Sequence, residues 1–201
     1  MKYFATLLLG LSLLTQAVAE DELPPYPRVE VSTSLGDFTI EMYTSRAPLT
    51  VRNFLDYVDA GFYTNTIFHR VIENFVVQGG GYDVDYKLKE TRPSVVNESG
   101  NGLTNRRGFV GMARTGEPHS ADSQFYVNLR DNPALDPRIT RWGYTVFGQV
   151  VEGIEVIDEM AGRSTTRGPI PQLPKDVPAE QIVILGIKRV ADGDAKTPDG
   201  S

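Results

Sequence analysis

The chain contains no cysteine among its 201 residues. A disulfide framework, a thiolate nucleophile and a lipid-modified cysteine are therefore all excluded. The absence of cysteine also suits an oxidising compartment, because no thiol can mispair there. Histidine is scarce as well, since His69 and His119 are the only two. We therefore expect neither a metal site built on imidazole ligands nor a cofactor.

The sequence also has no block of basic residues. Lysine and arginine total 20 against 26 acidic residues, which gives a net charge of −6. Proteins that bind nucleic acid normally present a concentrated positive patch, so nucleic acid is not an expected partner. Hydrophobic residues make up 40% of the chain, which is compatible with one globular domain that has a core of its own.

The first 19 residues have the pattern of a secretory signal peptide. Lys2 supplies the positive start, residues 4–14 are mainly apolar, and Ala17-Val18-Ala19 fits the small-x-small cleavage pattern. The apolar run is shorter than the ~20 residues that a membrane span requires. We therefore expect cleavage after Ala19, no membrane insertion afterwards, and a periplasmic protein of a Gram-negative bacterium. A buried N-terminal helix is the alternative interpretation.

The two ends of the remaining chain have the composition of unstructured segments. Residues 20–27 contain three prolines and are interpreted as a linker. Residues 191–201 are polar without periodicity, and we expect them to be disordered. The folded domain is therefore predicted to span residues 28–190.

Short alternating apolar segments dominate this domain. A hairpin is predicted for residues 29–35 and 38–43 around Gly36-Asp37, and helices are predicted over residues 48–60 and 153–160. The other predicted strands are residues 66–72, 75–79, 109–114, 123–129, 145–151 and 182–190. Long polar loops are predicted at residues 82–107, 115–122, 130–143 and 161–180. Many short strands with only two helices favour a closed β-barrel capped by the helices.

The most informative segment is residues 68–80, which read FHRVIENFVVQGG. Two short apolar runs carry a cation, Arg70, and an amide, Gln78, eight residues apart. If the chain turns at Glu73-Asn74, strand alternation brings Arg70, Phe75 and Gln78 close together. A charge on an otherwise apolar surface is unfavourable unless a partner or a ligand uses it.

Three further segments accompany this one along the chain. They are residues 108–114 (GFVGMAR), 122–129 (DSQFYVNL) and 144–150 (YTVFGQV). In their order and approximate spacing, the four segments resemble the cyclophilin family of peptidyl-prolyl isomerases over about residues 28–190. The residues at 97–98, 101–103 and 113–115 look like the periplasmic bacterial branch of that family.

The resemblance implies a closed eight-stranded antiparallel β-barrel capped by two α-helices, and peptidyl-prolyl cis-trans isomerase activity. It implies that Arg70 is catalytic, that Gln78 holds the substrate backbone and orients Arg70, and that Phe75 contacts the proline ring. The other implied substrate-binding positions are Val76, Met112, Ala113, Arg114 (through its backbone), Gln124, Tyr126, Leu135 and Tyr144. Of these, Met112, Tyr126 and Leu135 would help Phe75 to form the apolar pocket for proline.

Three residues depart from the better-known eukaryotic members. Tyr126 stands where many relatives have phenylalanine, and we expect its hydroxyl to point to water while the ring stays in the pocket. Ala134 replaces a tryptophan that contributes to cyclosporin binding, which predicts weak binding of that ligand. Tyr144 stands where those members have histidine, and we interpret it as a character of the periplasmic branch.

Other chemistry fits the sequence less well. His119 has serines nearby but no Gly-x-Ser-x-Gly segment accompanies them, and Gly79-Gly80-Gly81 is not followed by the Gly-Lys-Ser/Thr of a phosphate-binding loop. The three glycines are better interpreted as a turn with close backbone packing. His69 is expected on the opposite strand face from Arg70, in a structural role.

The main alternative is a binding module that holds proline-containing chains without turnover, as a chaperone does. The presence of Arg70 together with Gln78 and Phe75 favours the enzyme, with chaperone-like holding as a possible second activity. In both cases the expected partners are unfolded or flexible polypeptides that contain proline. Nothing in the pattern indicates an obligate interface, and a monomer is expected.

Overall fold

The computed structural model describes residues 23–191, so the predicted signal peptide and nearly all of the predicted disordered tail lie outside the described residues. The helices in this part of the chain are α1 (Pro48–Asp59) and α2 (Ile154–Ala161). Its strands are β1 (Arg28–Thr33), β2 (Gly36–Met42), β3 (Thr66–Ile72), β4 (Val76–Asp83), β5 (Phe109–Met112), β6 (Phe125–Asn128), β7 (Val146–Glu152), β8 (Thr165–Thr166), β9 (Val177–Pro178) and β10 (Ile182–Arg189).

Eight of these strands close into an antiparallel barrel. Their order around the barrel is β1-β10-β3-β4-β6-β5-β7-β2. The prediction of a closed eight-stranded antiparallel barrel with two helices is therefore confirmed. The remaining pair, β8 and β9, forms a separate two-stranded sheet within the predicted loop 161–180. Two-residue strands leave no periodic pattern, so no feature of the sequence indicated this sheet.

Phe54 of helix α1 packs inside the barrel among three other aromatic rings. The ring of Phe54 lies 5.2 Å from that of Tyr63 and 5.2 Å from that of Phe147, centroid to centroid. It also meets Phe125 of β6 edge to face at 5.5 Å. Pairs in this distance range are favourable beyond the area that they bury. The interior is therefore a packed core, and the space for a ligand must lie outside it.

The three consecutive glycines lie within strand β4, so the predicted turn at this position is wrong. Close backbone packing is nevertheless their role. A Cβ atom at Gly79 would lie 2.8 Å from Cδ1 of Phe68, and one at Gly81 would lie 2.5 Å from Cγ of Gln124. Gly80 has φ +83°, which side chains rarely allow. These glycines let the neighbouring strand and Gln124 approach the backbone of β4.

The N-terminus of α1 is capped by a residue from a distant loop. Ala47 precedes the helix and offers no capping side chain. The carboxylate of Glu98 instead accepts hydrogen bonds from the backbone N–H of Leu49 at 3.2 Å and of Thr50 at 2.8 Å, and from the Thr50 hydroxyl at 2.6 Å. A carboxylate here satisfies free N–H groups and complements the helix dipole.

Replacing Glu98 with alanine should lower the free energy of unfolding by about 1–2 kcal/mol, because the first turn of α1 loses its cap. Urea denaturation of the wild type and the variant measures this difference. Glu90→Ala, at an exposed glutamate of the same loop region, is the matched control and should change stability little. Equal destabilisation by the two substitutions would contradict the capping role.

His69 is buried on strand β3, beside Tyr82 of a small apolar cluster that is separate from the barrel core. It is 3% exposed, and its ring meets that of Tyr82 edge to face at 4.8 Å. Its Nδ1 atom has no hydrogen-bond partner among residues 23–191. Burial lowers the pKa of His69 to about 4; a backbone hydrogen bond at Ile67 opposes this shift, and the charge of Arg70 adds to it.

The low pKa of His69 predicts a loss of stability in mild acid. Between pH 6.5 and about 4 the unfolded chain binds a proton at His69 that the folded protein does not bind. Stability should therefore fall by up to about 3 kcal/mol across this range and lose nothing more to His69 below it. His69→Phe should flatten the pH dependence of the unfolding free energy measured by denaturation at several pH values. An unchanged slope in His69→Phe would contradict the assignment.

Candidate active site

A cavity of about 240 Å³ opens where strands β3, β4 and β6 meet the loops that follow β5 and β6. Its lining residues are Arg70, Phe75, Val76, Gln78, Ala113, Arg114, Tyr126, Leu135 and Tyr144. All nine belong to the eleven site residues predicted from the sequence. The other two are Gln124, which lines an adjacent cavity of about 230 Å³ together with Gln78, Ala113 and Arg114, and Met112, which lies in the barrel core.

Arg70 and Gln78 face each other across the β3–β4 pair, as cross-strand partners. Nη1 of Arg70 donates a hydrogen bond to Oε1 of Gln78 at 3.1 Å. Nε2 of Gln78 donates in turn to Oε1 of Gln124 at 3.1 Å. The guanidinium is therefore held in place by a chain of two amides that carry no charge.

The charge of Arg70 is not neutralised by any acidic side chain of the part of the chain that the structure describes. No carboxylate within residues 23–191 forms an ion pair with it, although acidic side chains pair with several other arginines. Its guanidinium carbon lies 6.0 Å from the centroid of the Phe75 ring. A half-buried cation beside an aromatic wall, positioned only by neutral groups, is available to act on a ligand.

Phe75 is placed at the cavity by the turn between β3 and β4. Asn74 adopts φ 57°, and the Phe75 N–H donates to the carbonyl of Ile72 at 3.0 Å. The carbonyl of Phe75 accepts hydrogen bonds at 2.9 Å from the Leu129 N–H and from Nδ2 of Asn132. The turn predicted at Glu73-Asn74 thus brings Phe75 beside Arg70.

Arg114 braces the opposite wall with its side chain, in addition to the backbone contribution that was predicted. Its guanidinium donates to the carbonyls of Trp142 at 2.8 Å and Gly143 at 3.1 Å. The guanidinium carbon also lies 4.5 Å from the centroid of the Tyr144 ring. These contacts hold Tyr144 against the cavity and fix the loop that precedes it.

A fixed, unpaired guanidinium at the edge of a small apolar cavity is the arrangement that the sequence resemblance implied, and comparison with known proteins agrees. The family model described as cyclophilin type peptidyl-prolyl cis-trans isomerase/CLD matches residues 28–189. The chain belongs to this family. It is a peptidyl-prolyl cis-trans isomerase, as are the bacterial relatives that it matches.

Two of these bacterial relatives span nearly the whole domain of this cyclophilin. Peptidyl-prolyl cis-trans isomerase A of Dickeya dadantii is 48% identical over 161 residues, covering 80% of this chain and 83% of its own. Peptidyl-prolyl cis-trans isomerase B of Escherichia coli is 46% identical over 162 residues, covering 79% of this chain and 97% of its own.

A solved structure supports the same assignment. A cyclophilin type peptidyl-prolyl cis-trans isomerase of Cryptosporidium parvum, crystallised in the presence of the dipeptide Ala-Pro, matches with a TM-score of 0.65 at 26% identity. The match covers 80% of this chain and 96% of that chain. The barrel of this cyclophilin is therefore the fold of its family.

Met112 does not reach the cavity of this cyclophilin, so its predicted place in the proline pocket is wrong. It is 1% exposed and belongs to the hydrophobic core of the barrel. It ends strand β5 opposite Phe125, and the next residue, Ala113, lines the cavity instead. Because strand side chains alternate between faces, an assignment that is off by one residue exchanges core for cavity.

Tyr126 lines the cavity, but the expectation that its hydroxyl points to water is also wrong. The residue is 3% exposed, and the hydroxyl donates to Oδ1 of Asn105 at 2.7 Å. Burial raises the pKa of Tyr126 well above its usual value, and the nearby Tyr144 and Asp136 raise it further. The hydroxyl is thus a neutral donor inside the protein at any ordinary pH.

Sequence reasoning missed the polar residues that support the cavity from behind. Asn105, Asn128, Asn132 and Asp136 join through side-chain hydrogen bonds. Asn128 could have been suspected, because it is a polar residue in an otherwise apolar strand segment. The other three lie in loops with no periodicity, so nothing in the sequence distinguishes them from solvated residues.

Two further findings concern what the site and fold can hold. Within the part of the chain that the structure describes, no three histidine, cysteine or acidic side chains are grouped so that they could bind a metal ion. Over the same residues, no helix is both long and apolar enough to cross a membrane.

Proposed function

We propose that this cyclophilin accelerates rotation about Xaa-Pro bonds in exported polypeptides, with Arg70 as the catalytic residue, and thereby assists their folding. One observation carries the proposal for Arg70. The guanidinium has no ion-pair partner within residues 23–191 and stands beside a cavity walled by Phe75 and Tyr126. Arg114 on the opposite wall is engaged by two backbone carbonyls. Among the same described residues, the Arg70 guanidinium hydrogen-bonds only the neutral amide of Gln78, so its charge is available to a ligand.

The chemistry requires no bond to form or break. Amide resonance gives the Xaa-Pro bond a rotational barrier of ~18–20 kcal/mol, and uncatalysed exchange takes tens of seconds or longer. At the top of the barrier the amide is twisted, and the proline nitrogen becomes pyramidal with a lone pair. A hydrogen bond from Arg70 to that nitrogen stabilises the twisted form only, which is the condition for catalysis.

The rest of the site fixes the two sides of the rotating bond. The apolar walls at Phe75, Tyr126 and Leu135 hold the proline ring, while the carbonyl of the preceding residue rotates. Gln78 keeps the guanidinium in place at 3.1 Å, so that little reorganisation is needed during the reaction. Because Gln78 lines the cavity, we also propose that it hydrogen-bonds the substrate backbone.

Catalysis is tested with a short Xaa-Pro peptide whose cis and trans forms are followed by NMR exchange. The purified protein should increase the exchange rate in proportion to its concentration. It should also speed the refolding of a protein whose slow phase is proline isomerisation. Peptide binding without faster exchange would refute the enzymatic proposal and leave the chaperone-like binding module.

Export is supported by the pattern of residues 1–19 and by the absence of cysteine. The full chain, expressed in a Gram-negative bacterium, should be recovered from the periplasmic fraction with Glu20 as its first residue. Recovery from the cytoplasm with an intact N-terminus would refute export. Because the site recognises proline and backbone, the proposed partners are flexible proline-containing polypeptides, bound by a monomer.

Cyclosporin should inhibit this cyclophilin weakly, because Ala134 offers only a methyl group where the eukaryotic members have tryptophan. Ala134 is exposed and directly precedes Leu135 of the cavity wall. Ala134→Trp should therefore tighten cyclosporin binding by about tenfold or more, since an aromatic ring adds apolar contact area. Inhibition of peptide isomerisation measures the change, and equal inhibition of both proteins would contradict it.

A further inference from the structure

The tyrosine in the proline pocket is held from behind by two residues that do not line the cavity. Tyr126 forms the cavity wall with its ring, while its hydroxyl is directed into the protein. The ring also meets Tyr144 edge to face at 6.1 Å. The tilt of this ring decides the shape of the pocket, so the groups that fix the hydroxyl act on the substrate indirectly.

Gly111 supplies the space that the hydroxyl occupies. It is the cross-strand partner of Tyr126 on β5. A Cβ atom at position 111 would lie 2.4 Å from the Tyr126 hydroxyl oxygen and 2.5 Å from Cζ. Both distances are much shorter than the ~3.5 Å separation of heavy atoms in ordinary van der Waals contact. Gly111 does not have a positive φ, so the close approach of Tyr126 is what requires glycine here.

Asn105 accepts the hydrogen bond of the Tyr126 hydroxyl and links the Tyr126 wall of the cavity to the Leu135 wall. It is 2% exposed, and its Oδ1 accepts the Tyr126 hydroxyl at 2.7 Å. Its backbone N–H and its Nδ2 both donate to Oδ1 of Asp136, at 2.7 and 2.9 Å. Asp136 directly follows Leu135, which lines the same cavity.

Further hydrogen bonds extend the network from Asn105 to the Phe75 wall of the cavity. Nδ2 of Asn128 donates to Oδ1 of Asn105 at 3.3 Å, and Oδ1 of Asn128 accepts from Nδ2 of Asn132 at 2.8 Å. Asn132 in turn donates to the carbonyl of Phe75 at 2.9 Å. Buried networks in which each member is satisfied hold their parts rigidly.

We propose that Gly111 and Asn105 are positioning residues of the isomerase: together they fix the Tyr126 ring and thereby set the shape of the proline pocket. This inference rests on the proposed function, since it concerns the same pocket. Gly111 leaves room for the hydroxyl, and Asn105 holds it. Neither residue lines the cavity, so their effect on catalysis passes through Tyr126.

The role of Gly111 is tested by Gly111→Ala, with Gly186→Ala as the matched control. Gly186 also lies in a barrel strand, but a Cβ atom there meets nothing within 4 Å. Gly111→Ala should raise the KM for an Xaa-Pro peptide about tenfold at a temperature where both variants are folded, and Gly186→Ala should change it less than twofold. A folded Gly111→Ala protein with the KM of the wild type would overturn the proposal.

The role of Asn105 is tested by removing the hydroxyl in two backgrounds. In the wild type, Tyr126→Phe should lower kcat/KM by about threefold, because the ring loses its anchor. In the Asn105→Leu background, the hydroxyl is buried without its acceptor, so Tyr126→Phe should raise kcat/KM instead. The loss of the contact to Asp136 is common to both proteins that carry Asn105→Leu, so it cancels in their comparison. An identical effect of Tyr126→Phe in the two backgrounds would overturn the proposal even if Gly111→Ala failed to fold.

Exchange and binding measurements on the wild type and the variants separate the isomerase proposal from the positioning role of Gly111 and Asn105. If the wild type binds the peptide without accelerating exchange, the isomerase proposal fails, and the peptide Kd of the same variants then decides the positioning role. If the wild type is active and the variants behave like it, the isomerase proposal stands and the positioning role fails.

Discussion

Arg70→Ala should reduce kcat/KM for an Xaa-Pro peptide by about 100-fold or more, because the twisted amide loses the guanidinium proposed to donate to its nitrogen. The loss should fall on kcat, since the hydrogen bond to the proline nitrogen exists only when the amide is twisted. The fold should survive, because Arg70 is half-buried and its side chain is held through a hydrogen bond to Gln78 rather than through an ion pair. NMR exchange measures the rate, and circular dichroism checks the fold.

Two further arginine variants separate charge from geometry. Arg70→Lys keeps the charge but loses the planar fork of donors, so it should retain only part of the activity. Arg107→Ala removes an arginine that pairs with Asp158 on the surface, outside the cavity, and should be fully active. A folded Arg70→Ala protein with normal turnover would refute the mechanism.

The local part of the site could be predicted from the sequence. Arg70, Phe75 and Gln78 lie within one hairpin, where strand alternation and the position of the turn fix which side chains meet. The barrel could be predicted for a related reason, since eight short apolar strands with two helices have few ways to bury their faces. The family resemblance added Ala113, Leu135 and the other lining residues that come from distant segments.

The contacts that cross between loops and strands could not be predicted. Glu98 caps α1 from about fifty residues away, and Asn105 meets Tyr126 only because β5 and β6 pair behind the cavity. A loop residue that makes such a contact has the same local pattern as one in water. The misplacement of Met112 has a different cause, because adjacent residues of a strand face opposite sides and the motif alone does not show which one faces the groove.

Phe75→Ala should raise the KM, or the Kd, for a proline peptide by about 10- to 100-fold, which corresponds to the loss of one aromatic wall that packs against the proline ring. The proline ring is present in the planar and in the twisted amide alike, so this wall binds both forms and its loss should change kcat little. NMR titration with the peptide gives the Kd, and exchange at saturating peptide gives kcat. The fold should tolerate the change, because Phe75 is only half-buried and its backbone hydrogen bonds remain.

Phe109→Ala is the matched control for this prediction. Phe109 is also half-buried, but it lies on β5 against Tyr43, with ring centroids 6.4 Å apart, and does not line the cavity. The substitution Phe109→Ala should therefore leave the peptide Kd unchanged. If Phe75→Ala lowered kcat as strongly as Arg70→Ala, Phe75 would have to act on the twisted amide itself, and the division between a wall that binds proline and a cation that promotes its rotation would be wrong. If Phe75→Ala raises the peptide Kd at normal kcat, and Arg70→Ala lowers kcat at normal Kd, binding and catalysis belong to different residues of the same hairpin.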